Sequence, residues 1–251
     1  MGAMPEEIAG VATLLSKTTE KIIGKRTFVS GKLNGIDTVV VFSRWGKVAA
    51  AATVVTLILE YNITELFFTG VAGAIHPDLK IGDIVVGTKL IQHDMDARPL
   101  MAQYEIPLIG KTFLNADKNL TEIAEKAVKT LLENKFLHQT ISDESLKEFN
   151  IEEPKLYTGD IASGDQFFAS QQGKHDLISK IPSVLCVEME GAAVAQVCYE
   201  YELPFSIIRT ISDAADELSH IDFPSFINEV SSKYSAVIIK NIYDLYQETG
   251  Q

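Results

Sequence analysis

The sequence predicts an α/β protein of three layers, in which a central, twisted and mixed sheet is flanked by helices on both faces. Three observations predict it. Short apolar runs alternate with helix-like runs, neither a linker nor an internal repeat divides the 251 residues, and turns with glycine or acidic residues follow several apolar runs. Such turns line the edge where open α/β sheets bind ligands. We therefore expect a single domain over residues 1–251.

A β-hairpin and a buried helix are predicted near the start of the chain. Two runs rich in β-branched residues, 26–33 and 36–42, are joined by Asn34-Gly35. Asn-Gly supplies the two positive-φ positions that a tight turn needs. Residues 47–61 are rich in alanine and contain neither glycine nor proline. They predict a helix that is apolar on most faces and therefore well buried.

The rest of the chain continues the alternation, with two exceptions. The further elements are, in chain order, strands at 66–69 and 83–91, a helix at 120–131, strands at 156–162 and 183–187, a helix at 192–201, a strand at 204–208 and a helix at 226–246. Residues 93–113 contain two prolines and no period, which predicts a long loop. Residues 138–155 are polar and acidic, which predicts an exposed insertion.

Charge and composition exclude several classes of partner. The net charge is −12, so a nucleic-acid partner, which needs a basic face, is not expected. The same charge disfavours an anionic membrane surface, and no run reaches the ~18 apolar residues of a membrane span. The first residues lack the pattern of a secretory signal. The two cysteines, Cys186 and Cys198, imply no disulfide framework, so we expect a cytoplasmic protein.

Two acidic segments about twenty residues apart carry the strongest functional signal. Residues 187–193 and 209–213 each follow an apolar run, and a helix-like run lies between them. In a parallel sheet, this strand–helix–strand unit places both carboxyl ends at one edge, so that Glu190 and Asp213 enter one crevice. Two carboxyl groups in a cleft favour acid–base chemistry. Judged by residue type alone, Asp213 is as well explained by a turn or helix cap.

Eight short motifs occur in a fixed order over nearly the whole chain. They are GAMPEE at 2–7, GKVAAA at 46–51, TGVAG at 69–73, GDIVV at 82–86, HDMD at 93–96, SGDQF at 163–167, VEME at 187–190 and RTISD at 209–213. The ordered set resembles the nucleoside phosphorylase/nucleosidase superfamily, and within it the 5′-methylthioadenosine/S-adenosylhomocysteine nucleosidases.

That resemblance implies hydrolysis of the N-glycosidic bond of methylthioadenosine and S-adenosylhomocysteine, with release of adenine, and without a cofactor or a metal. Such bonds break through an oxocarbenium-like state, helped by protonation of the leaving group and by a positioned water. By resemblance, Asp213 is the general acid to adenine N7, Glu7 positions and activates the water, and Glu190 binds the ribose hydroxyls. The first turn of a helix is an equally ordinary place for Glu7.

The resemblance also implies further substrate contacts. Phe167 stacks on adenine and the Phe168 backbone reads its edge, while Arg209 orients Glu7 or the ribose. Glu188 is expected to pair with a neighbour or to face solvent. The remaining contacts implied are Met4, Trp45, Val71, Met189, Ser212 and Phe223.

Two expectations concern the assembly and the start of the chain. In relatives the loop at 93–113 reaches into a neighbouring subunit, which implies a homodimer in which Leu100 and Pro107 close the partner's pocket. Relatives also have a short apolar strand before Gly-Ala-Met, whereas this chain begins at Met1-Gly2. We therefore expect a truncated start or a sheet without that strand, either of which would weaken the placement of Glu7.

Alternative functions stay open at this point. A phosphorolytic purine nucleoside phosphorylase needs arginines for phosphate, and Arg44 and Arg98 are available, but Phe68 stands where those enzymes carry an arginine. A non-catalytic module that binds adenine nucleosides is a second alternative. A metal hydrolase built on residues 93–96 is disfavoured because no histidine pair has ligand spacing. As substrates, 5′-deoxyadenosine and futalosine-type nucleosides are also compatible with the sequence, and so is a role in either methionine salvage or menaquinone synthesis.

Overall fold

The computed structural model describes residues 1–215 and 223–249, with nine α-helices and nine strands in these ranges. The helices are α1 (Pro5–Thr13), α2 (Lys47–Tyr61), α3 (Lys118–Leu132), α4 (Asn134–Thr140), α5 (Asp143–Glu148), α6 (Gln171–Lys180), α7 (Gly191–Glu200), α8 (Phe223–Phe226) and α9 (Ser232–Thr249). The strands are β1 (Ser16–Ile23), β2 (Arg26–Leu33), β3 (Ile36–Val40), β4 (Leu66–Ala74), β5 (Ile84–Gln92), β6 (Leu114–Asn115), β7 (Leu156–Ser163), β8 (Val184–Glu188) and β9 (Phe205–Asp213).

The main sheet is mixed and closes on itself. Its strand order is β6-β5-β7-β8-β4-β9, and β5 also pairs with β9. Helices α2 and α7 pack on one face, with Val54 and Val194 in a single apolar cluster that includes Ile207 of β9. Helices α3 and α9 pack on the other face around Ile208, the next residue of β9. The predicted fold, a central mixed sheet between helices, is confirmed.

Strands β8 and β9 are not parallel neighbours, so that part of the prediction is wrong. Both flank β4, which is parallel to β9 and antiparallel to β8. The antiparallel pair overlaps only at its carboxyl ends, where Gly73 and Ala74 face Val187 and Cys186. Strands that meet end to end in this way bring the carboxyl ends of β4, β8 and β9 to one place. Both β4 and β9 also run longer than predicted, β9 as far as Asp213.

The predicted hairpin is confirmed, and a third strand joins it. Strands β2 and β3 pair antiparallel, with Asn34 and Gly35 at φ 50° and 88° in the turn. Strand β1 pairs with β2 on the other side, although the sequence analysis assigned no strand there. Its side chains are almost all exposed, so it carries no alternation of apolar and polar residues that would reveal it.

Residues 138–155 are not a wholly exposed insertion, which corrects the prediction. They include most of α4's last turn and all of α5, and five apolar side chains of the segment 137–151 are buried in the cluster under α3 and α9. Those side chains are Leu137, Ile141, Leu146, Phe149 and Ile151. The acidic residues between them face outward, which gives the segment its polar composition.

The first two residues link the two sheets. The Met1 nitrogen donates to Phe67 O at 2.8 Å, and Gly2 bridges to Phe42 beyond the end of β3. A cavity of about 570 Å³, bordered by Met1, lies between β3, the start of β4 and α9. Among the described residues, no helix combines the length and apolarity needed to cross a bilayer.

Candidate active site

A cavity of about 360 Å³ opens at the place where β4, β8 and β9 meet. It is walled by every residue that the sequence analysis assigned to this chain's own pocket: Met4, Glu7, Trp45, Val71, Phe167, Phe168, Met189, Glu190, Arg209, Ser212, Asp213 and Phe223. Leu100 and Pro107 are exposed and do not line this cavity. Residues far apart in the chain therefore converge on one hollow.

Glu7 is firmly held, contrary to the expectation that the start of the chain would weaken its placement. It lies in the first turn of α1, where Pro5 opens the helix, and its Oε2 accepts the backbone N–H groups of Ala3 at 2.7 Å and Met4 at 3.0 Å. Its Oε1 is buried and accepts no hydrogen bond from the described residues. Burial raises the pKa of Glu7 to about 7, although Arg209 opposes the rise. The capping role and a catalytic role thus use different oxygens.

Arg209 and Glu188 form a buried ion pair behind the cavity. Arg209 Nη2 lies 2.8 Å from Glu188 Oε2, Nη1 donates to Phe68 O, and the guanidinium stacks 4.0 Å from the centre of the Phe68 ring. Arg209 and Glu7 do not share a hydrogen bond, and Arg209 acts on Glu7 through its charge. Glu188 also accepts the N–H groups of Glu190 and Gly191 at the start of α7. The predicted contact of Arg209 with the ribose stays a prediction.

Glu188 is the residue to which the sequence analysis gave too little weight. It was expected to pair with a neighbour, which it does, but it also caps α7 and fixes the backbone of Glu190. Ser163 at the end of β7 donates to it as well. The position of Glu188, three residues before Gly191, is a sequence signal for the helix cap. Its pairing with Arg209, which is 21 residues away in the sequence, has no such local signal.

Glu190 faces the cavity from the N-terminus of α7. Its Oε1 accepts the Gly46 N–H at 2.8 Å. Burial raises the pKa of Glu190, and the neighbouring Glu188 carboxylate adds to the rise, while the Gly46 N–H and Arg209 oppose it. A carboxyl group in this position can accept hydrogen bonds from a pair of hydroxyl groups.

Asp213 ends β9 and is held by two donors. Its Oδ2 accepts Ser212 Oγ at 2.7 Å, and its Oδ1 accepts the Ala215 N–H at 2.8 Å. Strand β4 passes so close that a Cβ at Gly73 would lie 2.9 Å from Asp213 Oδ1. Glycine at this position is what permits the carboxyl group to reach the cavity.

Aromatic side chains form the remaining walls. Phe167 packs edge-on against Phe223, with ring centroids 6.2 Å apart, and Phe168 packs edge-on against His93 at 5.2 Å. Trp45 and Phe167 are 61% and 49% exposed, so each has a free face. A free aromatic face and an apolar wall suit a flat heteroaromatic ring and its sugar substituent.

Residues 93–96 do not form a metal site in the described part of the chain. Asp94 is paired with Lys47, and Asp96 with Arg98. No group of three histidine, cysteine or carboxylate side chains with metal-binding geometry occurs among the described residues. His220, a scattered histidine in the sequence, lies outside the described residues.

Comparisons with known proteins agree with this geometry. A family profile described as the phosphorylase superfamily matches residues 1–242. An aminodeoxyfutalosine nucleosidase of Helicobacter pylori is 33% identical over 249 residues, covering 97% of this chain and 96% of that protein. A 5′-methylthioadenosine/S-adenosylhomocysteine nucleosidase of Bacillus cereus is 32% identical over 246 residues, covering 98% and 97%.

Solved structures give the same picture. The structure of 5′-methylthioadenosine/S-adenosylhomocysteine nucleosidase from Neisseria meningitidis in complex with methylthio-immucillin-A is 31% identical, with a TM-score of 0.84 over 97% of this chain and 96% of that one. Together with the profile match and the near-complete coverage, this defines the class: the chain belongs to the phosphorylase superfamily. Within it, the matched relatives support a more particular statement, that the chain is a nucleosidase, a hydrolase of N-glycosyl compounds.

Proposed function

We propose that this protein hydrolyses the N-glycosidic bond of 5′-methylthioadenosine and S-adenosylhomocysteine, releasing adenine and the thioribose. The observation that carries the proposal is the cavity itself. Glu7, Glu190 and Asp213 all border it, and apolar side chains such as Met4 and Phe223 line it as well. Acid, base and hydroxyl-binding groups on one apolar pocket are what this reaction requires.

In the proposed mechanism, Asp213 supplies the proton. It donates to N7 of adenine as the C1′–N9 bond breaks, so that the electron pair of that bond leaves with a neutral base. Ser212 and the Ala215 N–H hold the Asp213 carboxyl group in place. The sugar that remains has oxocarbenium character, which the site must hold until water adds.

Glu7 and Glu190 act on the sugar. Glu7 Oε1 accepts a proton from the water that adds to C1′, and its Oε2 stays bound to Ala3 and Met4 throughout. Glu190 accepts hydrogen bonds from the ribose hydroxyls, which orients the ring between acid and base. Because the pKa of Glu7 is raised to about 7, the carboxylate form that can take this proton grows as the pH rises through 7.

Water, not phosphate, is the nucleophile in this proposal. A phosphate dianion beside C1′ would meet the buried Glu7 and Glu188 carboxyl groups. The arginine at the site, Arg209, is 1% exposed and already paired with Glu188. Phe68, at the position where phosphorylases carry an arginine, is buried beneath it.

A second substrate is favoured by one specific observation. The aminodeoxyfutalosine nucleosidase of Helicobacter pylori is as similar to this chain as the methylthioadenosine enzymes are. Both reactions release adenine from a 5′-substituted nucleoside, so the same acid and base serve both. The two proposals differ in the 5′ wall, where the apolar ring of Trp45 suits a small thioalkyl group.

We further propose that the protein is a homodimer. Large apolar side chains are exposed on the loop at 93–113 and on α2, with Leu100 at 88%, Leu108 at 95% and Val48 at 82%. Apolar surface that a partner subunit would cover is typical of an interface. A partner subunit seated there would bring its Leu100 and Pro107 loop to the open 5′ side. Sedimentation velocity of the wild type and of Leu108→Asp tests it: a wild-type monomer at micromolar concentration contradicts the proposal.

The experiment that tests the function is adenine release. Purified protein is incubated in phosphate-free buffer with methylthioadenosine, S-adenosylhomocysteine, aminodeoxyfutalosine or adenosine, and adenine is quantified. We expect release from the first two without phosphate, and a slower reaction with adenosine. Dependence on phosphate with formation of ribose 1-phosphate would establish the phosphorylase alternative. Nucleoside binding without any release would establish the binding module, and a preference for aminodeoxyfutalosine would replace the substrate assignment.

A further inference from the structure

The N-terminus of α2 has an unusual composition for a helix start. Its N-cap is Gly46, which has no side chain to accept a backbone N–H, and its first helical residue is the cation Lys47. A positive charge in the first turn opposes the helix dipole, and a glycine N-cap offers no side-chain acceptor to the first backbone N–H groups. The Lys47 side chain is also largely buried. Something else must stabilise this start.

Two carboxylates from other segments do so. Asp165, in the loop after β7, accepts the backbone N–H of Lys47 at 2.8 Å and so caps the helix in place of an N-cap side chain. Asp94, in the loop after β5, accepts Lys47 Nζ at 2.6 Å through Oδ1 and the Asp165 N–H at 2.9 Å through Oδ2. Gln92 completes the shell around Nζ at 3.1 Å. The three residues Lys47, Asp94 and Asp165 thus form a closed clamp.

The clamp lies directly behind the Gly46 N–H that donates to Glu190. Gly46 is at φ 90°, and a Cβ on it would lie 3.1 Å from Asp165 Oδ1, so the turn is packed tightly against the clamp. The same loop that carries Asp165 continues to Phe167, on the adenine side of the cavity. The Asp165 carboxylate therefore connects the turn at Gly46, whose N–H holds Glu190, to the loop that carries Phe167.

We propose that Asp165, acting with Asp94 and Lys47, is a positioning residue that keeps the Gly46 N–H aimed at Glu190 and keeps Phe167 in register with the sugar site. Asp165 itself does not line the cavity. Its role rests on the proposed function, because it matters only if Glu190 binds ribose. Neither the motif resemblance nor the comparisons assign this role to it.

A consequence for Glu190 separates positioning from mere folding. Glu190 faces the carboxyl groups of Glu188 on β8 and Glu7 on α1, which disfavour its ionised form, and Arg209 on β9, which favours it. The Gly46 N–H is the hydrogen bond that favours the ionised form. If the clamp opens and this donor is lost, Glu190 ionises at higher pH. The acidic limb of the pH profile then moves to higher pH.

The test compares three variants of the full-length enzyme. Asp165→Ala removes the acceptor, and Asp165→Asn keeps an oxygen that can accept the Lys47 N–H. Asp96→Ala is the matched control on the loop after β5, where Asp96 pairs with Arg98. For Asp165→Ala we expect KM to rise about tenfold, with a smaller change in kcat, and the acidic limb of kcat/KM to move to higher pH. Asp165→Asn should recover most of both, and Asp96→Ala should match the wild type.

A measurement without turnover completes the test. The titration of the Glu190 carboxyl, followed by ¹³C NMR in the unliganded protein and assigned with Glu190→Gln, should move to higher pH in Asp165→Ala alone. A wild type that releases no adenine refutes the proposed function. An active wild type whose KM, pH profile and Glu190 titration are unchanged in a folded Asp165→Ala variant refutes the positioning role. Equal losses in Asp165→Ala and Asp96→Ala refute it as well.

Discussion

At the scale of single residues, the carboxyl groups around the cavity differ in the hydrogen-bond donors that surround them, and this difference gives them different roles. Glu7 has two backbone donors on one oxygen and none on the other. Asp213 has a donor on each oxygen. Glu188 is saturated by backbone groups and by Arg209. A carboxyl group with an unsatisfied buried oxygen is costly in a fold, so Glu7 is the one whose geometry points to a ligand such as water.

Asp213→Asn tests the proposed general acid. The amide keeps both the shape and an acceptor for the Ala215 N–H, but it has no proton of comparable acidity to give to adenine. We expect kcat to fall about 10²–10⁴-fold while nucleoside affinity changes little. Single-turnover adenine release and equilibrium dialysis measure the two quantities. Retention of wild-type kcat would remove Asp213 from the mechanism.

Glu7→Gln should make the protein more stable at alkaline pH while it abolishes turnover. The pKa of Glu7 is raised from 4.5 to about 7, so the folded state favours the protonated form. The resulting stabilisation is complete below pH 4.5 and is lost as the pH rises through 7. The neutral amide of Glu7→Gln does not ionise, so the variant does not lose this stabilisation. For a pKa shift of this size, the loss in the free energy of unfolding amounts to about 3 kcal/mol.

Thermal unfolding of Glu7→Gln at pH 5 and pH 8.5 checks this prediction. The gain over the wild type should appear at pH 8.5 and shrink at pH 5. The control is Glu6→Gln, at the exposed neighbouring position of the same helix turn, for which no such pH-dependent gain is expected. A Glu7→Gln variant that is less stable than the wild type at both pH values would show that burial does not penalise the Glu7 carboxylate.

The sequence predicted the residues of the cavity far better than their partners. Most of the predicted cavity residues belong to one of the eight short motifs, which can be recognised in the sequence without knowledge of the fold. The clamp of Lys47, Asp94 and Asp165 joins residues 47 and 118 positions apart, and nothing local announces such a bond. The ion pair of Arg209 and Glu188 joins positions 21 residues apart on β9 and β8, so no local pattern indicates it either.

At the scale of elements, the errors have a common physical cause. Strand β1 is polar and exposed, and it is a strand because β2 offers it a partner, so its propensity carries little signal. The segment 138–155 has few apolar residues, and its burial depends on where α3 and α9 leave space. Long periodic helices such as α9 and the Asn-Gly hairpin were predictable because their signals are local.

Phe149→Ala tests the corrected account of that segment. Phe149 is 7% exposed and packs edge-on against Phe226, with ring centroids 5.3 Å apart. Removing a buried aromatic ring of this kind costs about 3–5 kcal/mol in the free energy of unfolding. Phe136→Ala is the control, since Phe136 is 38% exposed, and it should cost about 1 kcal/mol or less. Equal, small effects in urea denaturation would restore the view of an exposed insertion.

At the scale of the whole molecule, the closed sheet explains why distant acids converge. Strand β4 lies between β8 and β9, and its carboxyl end overlaps β8 only at the last residues. Two strands that approach from opposite directions therefore deliver Glu190 and Asp213 to one cavity. Parallel strands at an open edge, as the sequence analysis assumed, would reach the same outcome by another route. The expectation that Glu190 and Asp213 enter one cavity is confirmed because both topologies place the strand ends together.

The cavity between the two sheets gives a prediction about the stability of the molecule. It lies between β3 and the start of β4, next to Met1, whose backbone forms hydrogen bonds with Phe67 and Thr69. Apolar side chains such as Val39 and Ile239 line it. Strand edges with unpaired backbone groups accept a further extended strand. A variant extended before Met1 by five residues, mostly valine and isoleucine, should place them there and join the sheets.

We expect this extension to raise Tm by about 3 °C or more. Burying two or three apolar side chains contributes about 1.5–3 kcal/mol each, and each new backbone hydrogen bond adds about 1 kcal/mol, against about 1–2 kcal/mol per residue for ordering the five residues. Each kcal/mol of the small surplus corresponds to about 2–4 °C in a chain of this size. Calorimetry of this variant is compared with one extended by five glycine and serine residues, which can pair but bury little. Equal melting temperatures would mean that the cavity does not accept a strand. A rise confined to the apolar extension would show that a strand placed there can join the two sheets into one.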